Sequence, residues 1–194
     1  MRLIKKIYEN VSTCINVITL KFHKVVYGKN ICIRGNIFIK NNTNRQGAIS
    51  IGKNVVINSS IRANPVSGIR TKLYAMINGS IDIGNNVGLS NCTIISNNKI
   101  IIEDNVLVGA GTIIIDTDFH SSIYKERIEH ILIENDQSSI KICEGAFVGA
   151  NCIILKGVII GKESVIGAGS VVTKTIPDNE IWAGNPARFI RKNA

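Results

Sequence analysis

A hydroxyl or amine becomes a useful nucleophile when a positioned base removes its proton, and a neutral imidazole suits that task near physiological pH. The chain of 194 residues holds three histidines, His23, His120 and His130. His120 has the most suggestive surroundings, because Asp116-Thr117-Asp118-Phe119-His120-Ser121-Ser122 puts two carboxylates and two serine hydroxyls beside it. A carboxylate in contact with the ring would orient it and favour the imidazolium. A catalytic zinc needs three protein ligands, and only His120 and His130 share a segment, so no metal is expected.

Composition says which elements can position such residues. With 45% hydrophobic and 19% charged residues the chain suits one compact domain, not a disordered one. Aromatic residues make up only 5% while Ile, Val, Asn and Gly abound, which favours strands and turns over a helical bundle. Lys and Arg number 23 against 14 Asp and Glu, and the formal net charge of +9 favours an anionic partner: nucleic acid, anionic lipid or a phosphorylated cofactor. No recognition helix or aromatic stacking motif speaks for nucleic acid, which is not expected. Cys14, Cys32, Cys92, Cys143 and Cys152 are odd in number and form no CxxC pair, so they read as reduced thiols. No apolar run approaches the ~20 residues of a membrane span, and no signal peptide is evident. The expected location is the cytoplasm.

A six-residue period organises most of the chain. Aliphatic residues recur at Ile142, Val148, Ile154, Ile160, Ile166 and Val172, with Ala146, Cys152, Val158, Ser164 and Ser170 two positions before the later ones. The same spacing runs through Ile83, Leu89 and Ile95, then Ile102, Val108 and Ile114, with one extra residue between Ile95 and Ile102. It returns at Ile51 and Ile57 and, more faintly, at Tyr27, Ile33 and Ile39. Six residues are too few for a helix and a turn but fit a short strand and a tight corner, so three units close one triangular coil. Aliphatic side chains then stack inside, and Gly or Asn occupies corners where positive φ is needed. The product is a parallel β-solenoid, interrupted at residues 41–47 and 64–80 and by an excursion loop at 116–140. Loops on a rigid solenoid are natural places for binding groups.

This pattern resembles the hexapeptide-repeat family over residues 27–177, which implies a left-handed parallel β-helix. Within it, DTDFHS at 116–121, FVGAN at 147–151, IGAGSVVT at 166–173 and AGNPARFIR at 183–191 resemble the O-acetyltransferases of maltose/galactoside type and their relatives in surface-polysaccharide synthesis. The resemblance implies an acetyl-CoA-dependent O-acetyltransferase acting on a sugar or surface-glycan precursor, with His120 as the general base. It also implies coenzyme contacts by residue: Ala150 and Ala168 along the pantetheine arm, Thr173 and Lys174 near the phosphates, Arg188 and Arg191 at the nucleotide end. Arg and Lys suit anionic phosphates as charge-assisted donors. The family places its sites between neighbouring solenoids, so a homotrimer is implied. An amine acceptor, such as an amino sugar or an antibiotic, would use the same machinery. Two other readings are a zinc-dependent carbonic anhydrase of γ type, for which histidine ligands are short, and a non-catalytic binding solenoid, which would need neither the loop histidine nor the basic end.

The ends complete the organisation. Residues 1–26 space Ile4, Ile7, Val11, Cys14 or Ile15, Ile18, Phe22 and Val25 three or four apart, which predicts an amphipathic helix. It would cap the first coil, and Arg2, Lys5, Lys6, Lys21 and Lys24 against Glu9 also suit contact with a membrane surface. Residues 178–194 read as a turn and a short segment over the last coil. Which residues would meet the acceptor stays open between Ser90 and Asn91.

Overall fold

The computed structural model describes residues 2–129 and 139–193. Helix α1 (Arg2–Phe22) precedes a triangular prism of three sheets. Sheet A holds β1 (Val26–Tyr27), β4 (Ile49–Ile51), β7 (Ser80–Ile83), β10 (Lys99–Ile102), β13 (Ile140–Ile142) and β16 (Ile159–Ile160). Sheet B holds β2 (Cys32–Gly35), β5 (Val56–Ser59), β8 (Gly88–Ser90), β11 (Leu107–Val108), β14 (Phe147–Val148), β17 (Val165–Ile166), β19 (Glu180–Ala183) and β20 (Arg188–Lys192). Sheet C holds β3 (Phe38–Asn41), β6 (Lys72–Ala75), β9 (Thr93–Ser96), β12 (Ile113–Ile115), β15 (Ile153–Ile154) and β18 (Val171–Val172). The chain visits A, B and C in turn, and every pairing is parallel except β19 with β20.

Register turns the six-residue period into three internal columns. Ile51, Ile83, Ile102, Ile142 and Ile160 stack in sheet A. Ile57, Leu89, Val108, Val148 and Ile166 stack in sheet B. Leu73, Ile94, Ile114, Ile154 and Val172 stack in sheet C. All fifteen side chains are buried, so each truncation to Ala would cost about 2–4 kcal/mol through lost transfer energy and a cavity. At the A/B corner, Asn30, Asn54, Asn86 and Asn105 all adopt φ between 56° and 62°. Asn tolerates that region better than other residues with a Cβ. Their amides donate from coil to coil, Asn30 to Asn54, Asn54 to Asn86 and Asn86 to Asn105, at 3.0–3.2 Å. Asn105 passes the ladder to Glu144.

Charged groups line the same corner. The hydrogen bond and charge of Lys141 hold the Glu103 carboxyl below its ordinary 4.5, and Lys192 and Trp182 do the same for Glu180. A carboxylate with a depressed folded value stabilises the fold above its ordinary value, and that contribution fades as pH drops below it. Melting temperature should therefore fall on acidification from about pH 5 to pH 3. The Glu103→Gln/Glu180→Gln variant should show a shallower fall, and an unchanged slope would remove these two groups from the account.

The second interruption is shorter than the sequence indicates. It occupies residues 60–71, and β6 lies inside the stretch expected to be loop. Leu73 and Ala75 face the core from β6, but the position six after Leu73 is Gly79, in a widened corner, so the period fails there. Asn91 holds the loop with its buried amide, donating to the carbonyls of Ser60, Asn64 and Ser67. The third excursion leaves after β12 and returns at β13, carrying the short helix α2 (Tyr124–Ile128).

Both ends differ from a simple apolar cap. Helix α1 covers β2 with its polar stripe. Ser12 Oγ bonds both Gly35 N and Gly35 O, Thr13 Oγ1 accepts from Ile33 N, and Asn16 Oδ1 accepts from Ile37 N. The open sheet edge is thereby satisfied. Of the apolar stripe that predicted the helix, Ile7, Val11, Ile15, Ile18 and Phe22 face outward instead, and only Val25, past the helix end, enters the core, beside Leu20 from the opposite face. At the other end the parallel ladder continues past Pro177 into β19, and Trp182 plugs the prism.

Candidate active site

Three corners separate the residues singled out by the sequence. Ala150 and Ala168 occupy the B/C corner of successive coils, where Gly169 N donates to Ala150 O. The stack there is tight: a Cβ on Gly149 would meet Ala168 N at 2.6 Å, and one on Gly109 would meet Ala150 N at 2.5 Å. The alanines themselves are accessible, Ala150 half-buried and Ala168 exposed. Arg188 lies next to them, since it pairs with Ala183, whose Cβ sits 2.8 Å from where a Gly167 Cβ would be. Its guanidinium uses one donor on Ala187 O and is otherwise exposed.

Thr173, Lys174 and His120 belong to the C/A corner, at the opposite edge of sheet C. The Lys174 ammonium lies 5.1 Å from the centroid of the Trp182 ring, over the plug of the prism. Arg191 pairs with Ile181 along β20, away from the B/C corner. The structure thus brings Ala150, Ala168 and Arg188 together and sets His120, Thr173 and Lys174 a face away.

His120 stands at the foot of the excursion. Phe119 adopts φ +60°, uncommon for a large residue, and His120 N donates to Asp118 O at 2.7 Å. This turn leaves the imidazole exposed and without a hydrogen bond to any described residue. The neighbouring carboxylates do not orient it. Asp116 is buried and accepts from Ser96 Oγ, Asn97 N and Asn98 N, closing the corner where the extra residue sits. Burial pushes its carboxyl up while those bonds pull the other way. Asp118 pairs with Lys156 of the next coil. Beyond His120, Ser121 Oγ donates to Glu126, and Arg127 holds the carbonyls of Ser121 and Ser122. His130 lies outside the described residues.

Sequence patterning overlooked Lys156 and the loop-holding role of Asn91. Lys156 fixes the departure turn through Asp118, but its position in an ordinary corner gives no signal of that. Among the described residues no group of three His, Cys, Asp or Glu is placed to hold a metal ion. No described helix is long and apolar enough to cross a membrane. All five cysteines are free.

Comparison with known proteins places this geometry. The bacterial transferase hexapeptide model (six repeats) matches residues 139–174, and the hexapeptide repeat of succinyl-transferase matches residues 99–115. Galactoside O-acetyltransferase of Escherichia coli (strain K12) is 34% identical over 128 residues, 64% of this chain and 60% of that one. The chain therefore spans about three-fifths of that relative's length. The putative lipopolysaccharide biosynthesis O-acetyl transferase WbbJ of the same organism is 29% identical over 175 residues, 87% of this chain and 82% of that one. A solved galactoside acetyltransferase in complex with coenzyme A superimposes with a TM-score of 0.59 at 25% identity, covering 88% of this chain and 66% of that one. Its repeats, its three parallel sheets and the two matching models give the chain the hexapeptide-repeat β-helix fold that it shares with these acetyltransferases.

Proposed function

We propose that the protein transfers an acetyl group from acetyl-CoA to a hydroxyl of a sugar or surface-glycan precursor, with His120 as the general base. The observation that carries this reading is the imidazole itself, exposed and free of described partners at the foot of the excursion loop. Such a ring can take the proton of an acceptor hydroxyl as the oxygen attacks the thioester carbonyl, then return it to the departing thiol. The galactoside relative is named an O-acetyltransferase and WbbJ a putative one, which favours an oxygen acceptor.

The B/C corner suits a long anionic donor. Ala150 and Ala168 present only methyl groups, and a Cβ at Gly169 would meet nothing within 4 Å, so a thin arm can lie against the backbone. Arg188 is assigned to the phosphates of the donor at this corner, Arg191 to its nucleotide end further along β20, and Thr173 and Lys174, a face away, to the donor of a neighbouring protomer. Each charge-assisted contact is worth about 1.5–3 kcal/mol. Arg188→Ala should therefore raise KM for acetyl-CoA by roughly tenfold or more with little change in acceptor KM. Lys174→Ala should act more weakly, because its ammonium is shared with Trp182. Calorimetric titration showing undiminished acetyl-CoA binding in the Lys174→Ala/Arg188→Ala/Arg191→Ala variant would remove the assignment.

The reaction is tested by thiol release from acetyl-CoA with a panel of sugars, nucleotide sugars, amino sugars and antibiotic acceptors. Release with neutral sugars or their nucleotide derivatives supports the proposal. Release with amino acceptors alone would move the transfer to nitrogen, and none with any acceptor would overturn it.

A further inference from the structure

The outward face of α1 remains unexplained by catalysis or by folding. Ile7, Val11, Ile15, Ile18 and Phe22 recur every three or four residues and are 53–81% exposed, with Tyr8 beside them. Helix faces of this kind ordinarily point into the core. Here the opposite stripe is committed to the first coil through Ser12, Thr13 and Asn16. The only acid of the helix, Glu9, is turned to the same side and paired with Arg34 at 2.9 Å. The open side therefore carries no carboxylate, and Lys21 lies exposed at its margin. Just past the helix, Lys24 is exposed and its ammonium donates to Asn44 O.

We propose that α1 is a docking element for an anionic lipid surface, lying in the interface with Ile7, Val11, Ile15, Ile18 and Phe22 in the acyl boundary and Lys21 among the headgroups. An amphipathic helix with an apolar stripe and basic flanks binds in this way, by buried apolar area plus attraction to anionic lipid. Charge complementarity distinguishes this occupant from a second copy. Two such helices packed face to face would bring like charges together in a chain that already carries +9. A lipid surface would supply the counter-charge that α1 lacks. The polar stripe, already bonded to β2, needs no rearrangement for the helix to lie flat, so the solenoid would hang from the surface by its first coil.

The experiment is co-sedimentation of the full chain with vesicles of equimolar phosphatidylglycerol and phosphatidylcholine, compared with phosphatidylcholine alone. Binding should be strong to the first, at least ~10-fold weaker to the second, and weakened by salt. Ile15→Glu/Ile18→Glu should lower partitioning into the mixed vesicles more than ~10-fold, without moving the melting temperature, because both side chains are exposed. Lys21→Glu should weaken binding to mixed vesicles while leaving the weak binding to neutral ones unchanged. Light scattering is run in parallel on both proteins. Failure of the wild type to sediment with anionic vesicles overturns the proposal. So does Ile15→Glu/Ile18→Glu binding as wild type, or losing an oligomer that the wild type forms through this face instead of binding lipid.

Discussion

His120→Ala should lower kcat by ~10²–10⁴, the usual loss when a general base is removed, while acetyl-CoA affinity stays close to wild type. The two effects separate because the imidazole belongs to the C/A corner, whereas Ala150, Ala168 and Arg188 lie at the B/C corner. A variant with damaged loop geometry would also lose turnover, so the fold around the ring matters to the test. The side chain of His120 makes no hydrogen bond to described residues, and the departure turn is held instead by Asp118 with Lys156 and by His120 N with Asp118 O. Truncation at Cβ should therefore leave the turn intact, with an unchanged melting temperature. Turnover equal to wild type would dismiss His120 as the base. A fall in coenzyme affinity as large as the fall in kcat would instead make it a binding residue.

How much of this was legible in the sequence depends on whether a feature is periodic. The three columns from Ile51 to Val172 appear in the sequence as a six-residue beat because each inward position is fixed by the position below it. The excursion between β12 and β13 could be located because it breaks that beat. Strand β6 was hidden for the same reason, since the widened corner before Gly79 displaces its partner beyond the expected position. Helix α1 shows the other limit. Its apolar spacing announced a helix, yet spacing cannot say which face turns inward. Ser12, Thr13 and Asn16 won that choice because the open edge of β2 presents unpaired amides and carbonyls, whose burial without partners would cost more than exposing isoleucines. Asp116 stands near His120 in the sequence, but side chains alternate along a strand. The one that faces inward at the end of β12 meets the Asn97 and Asn98 amides and not its neighbour four residues on.

The division of the candidate site between two corners bears directly on assembly. One side of the prism takes six residues from Ala168 to Lys174, which at ~3.3 Å per residue is roughly 15–20 Å. Proton transfer needs contact at about 3 Å, so a thioester lying along the B/C corner is out of reach of a ring that stays at the C/A corner of its own chain. We propose a closed cyclic trimer, which would set the B/C corner of one protomer against the C/A corner of the next, three times. The outer surface of sheet C, with Ile95, Ile113, Ile115, Ile153, Leu155 and Val171 half-buried or exposed, offers an apolar surface for such packing. Under this arrangement His120→Ala and Ala168→Trp damage different halves of each cleft. Each homotrimer should be inactive, the first for want of a base and the second because the indole fills the corner that receives the donor. Subunit exchange between them should restore part of the wild-type rate, since some interfaces in a mixed trimer join an intact His120 to an intact Ala168. Mass measurement establishes that mixed trimers form, and thiol release reads the recovered activity. Mixed trimers with no recovered activity would place base and donor on one chain, with the excursion loop folding back across its own sheet C.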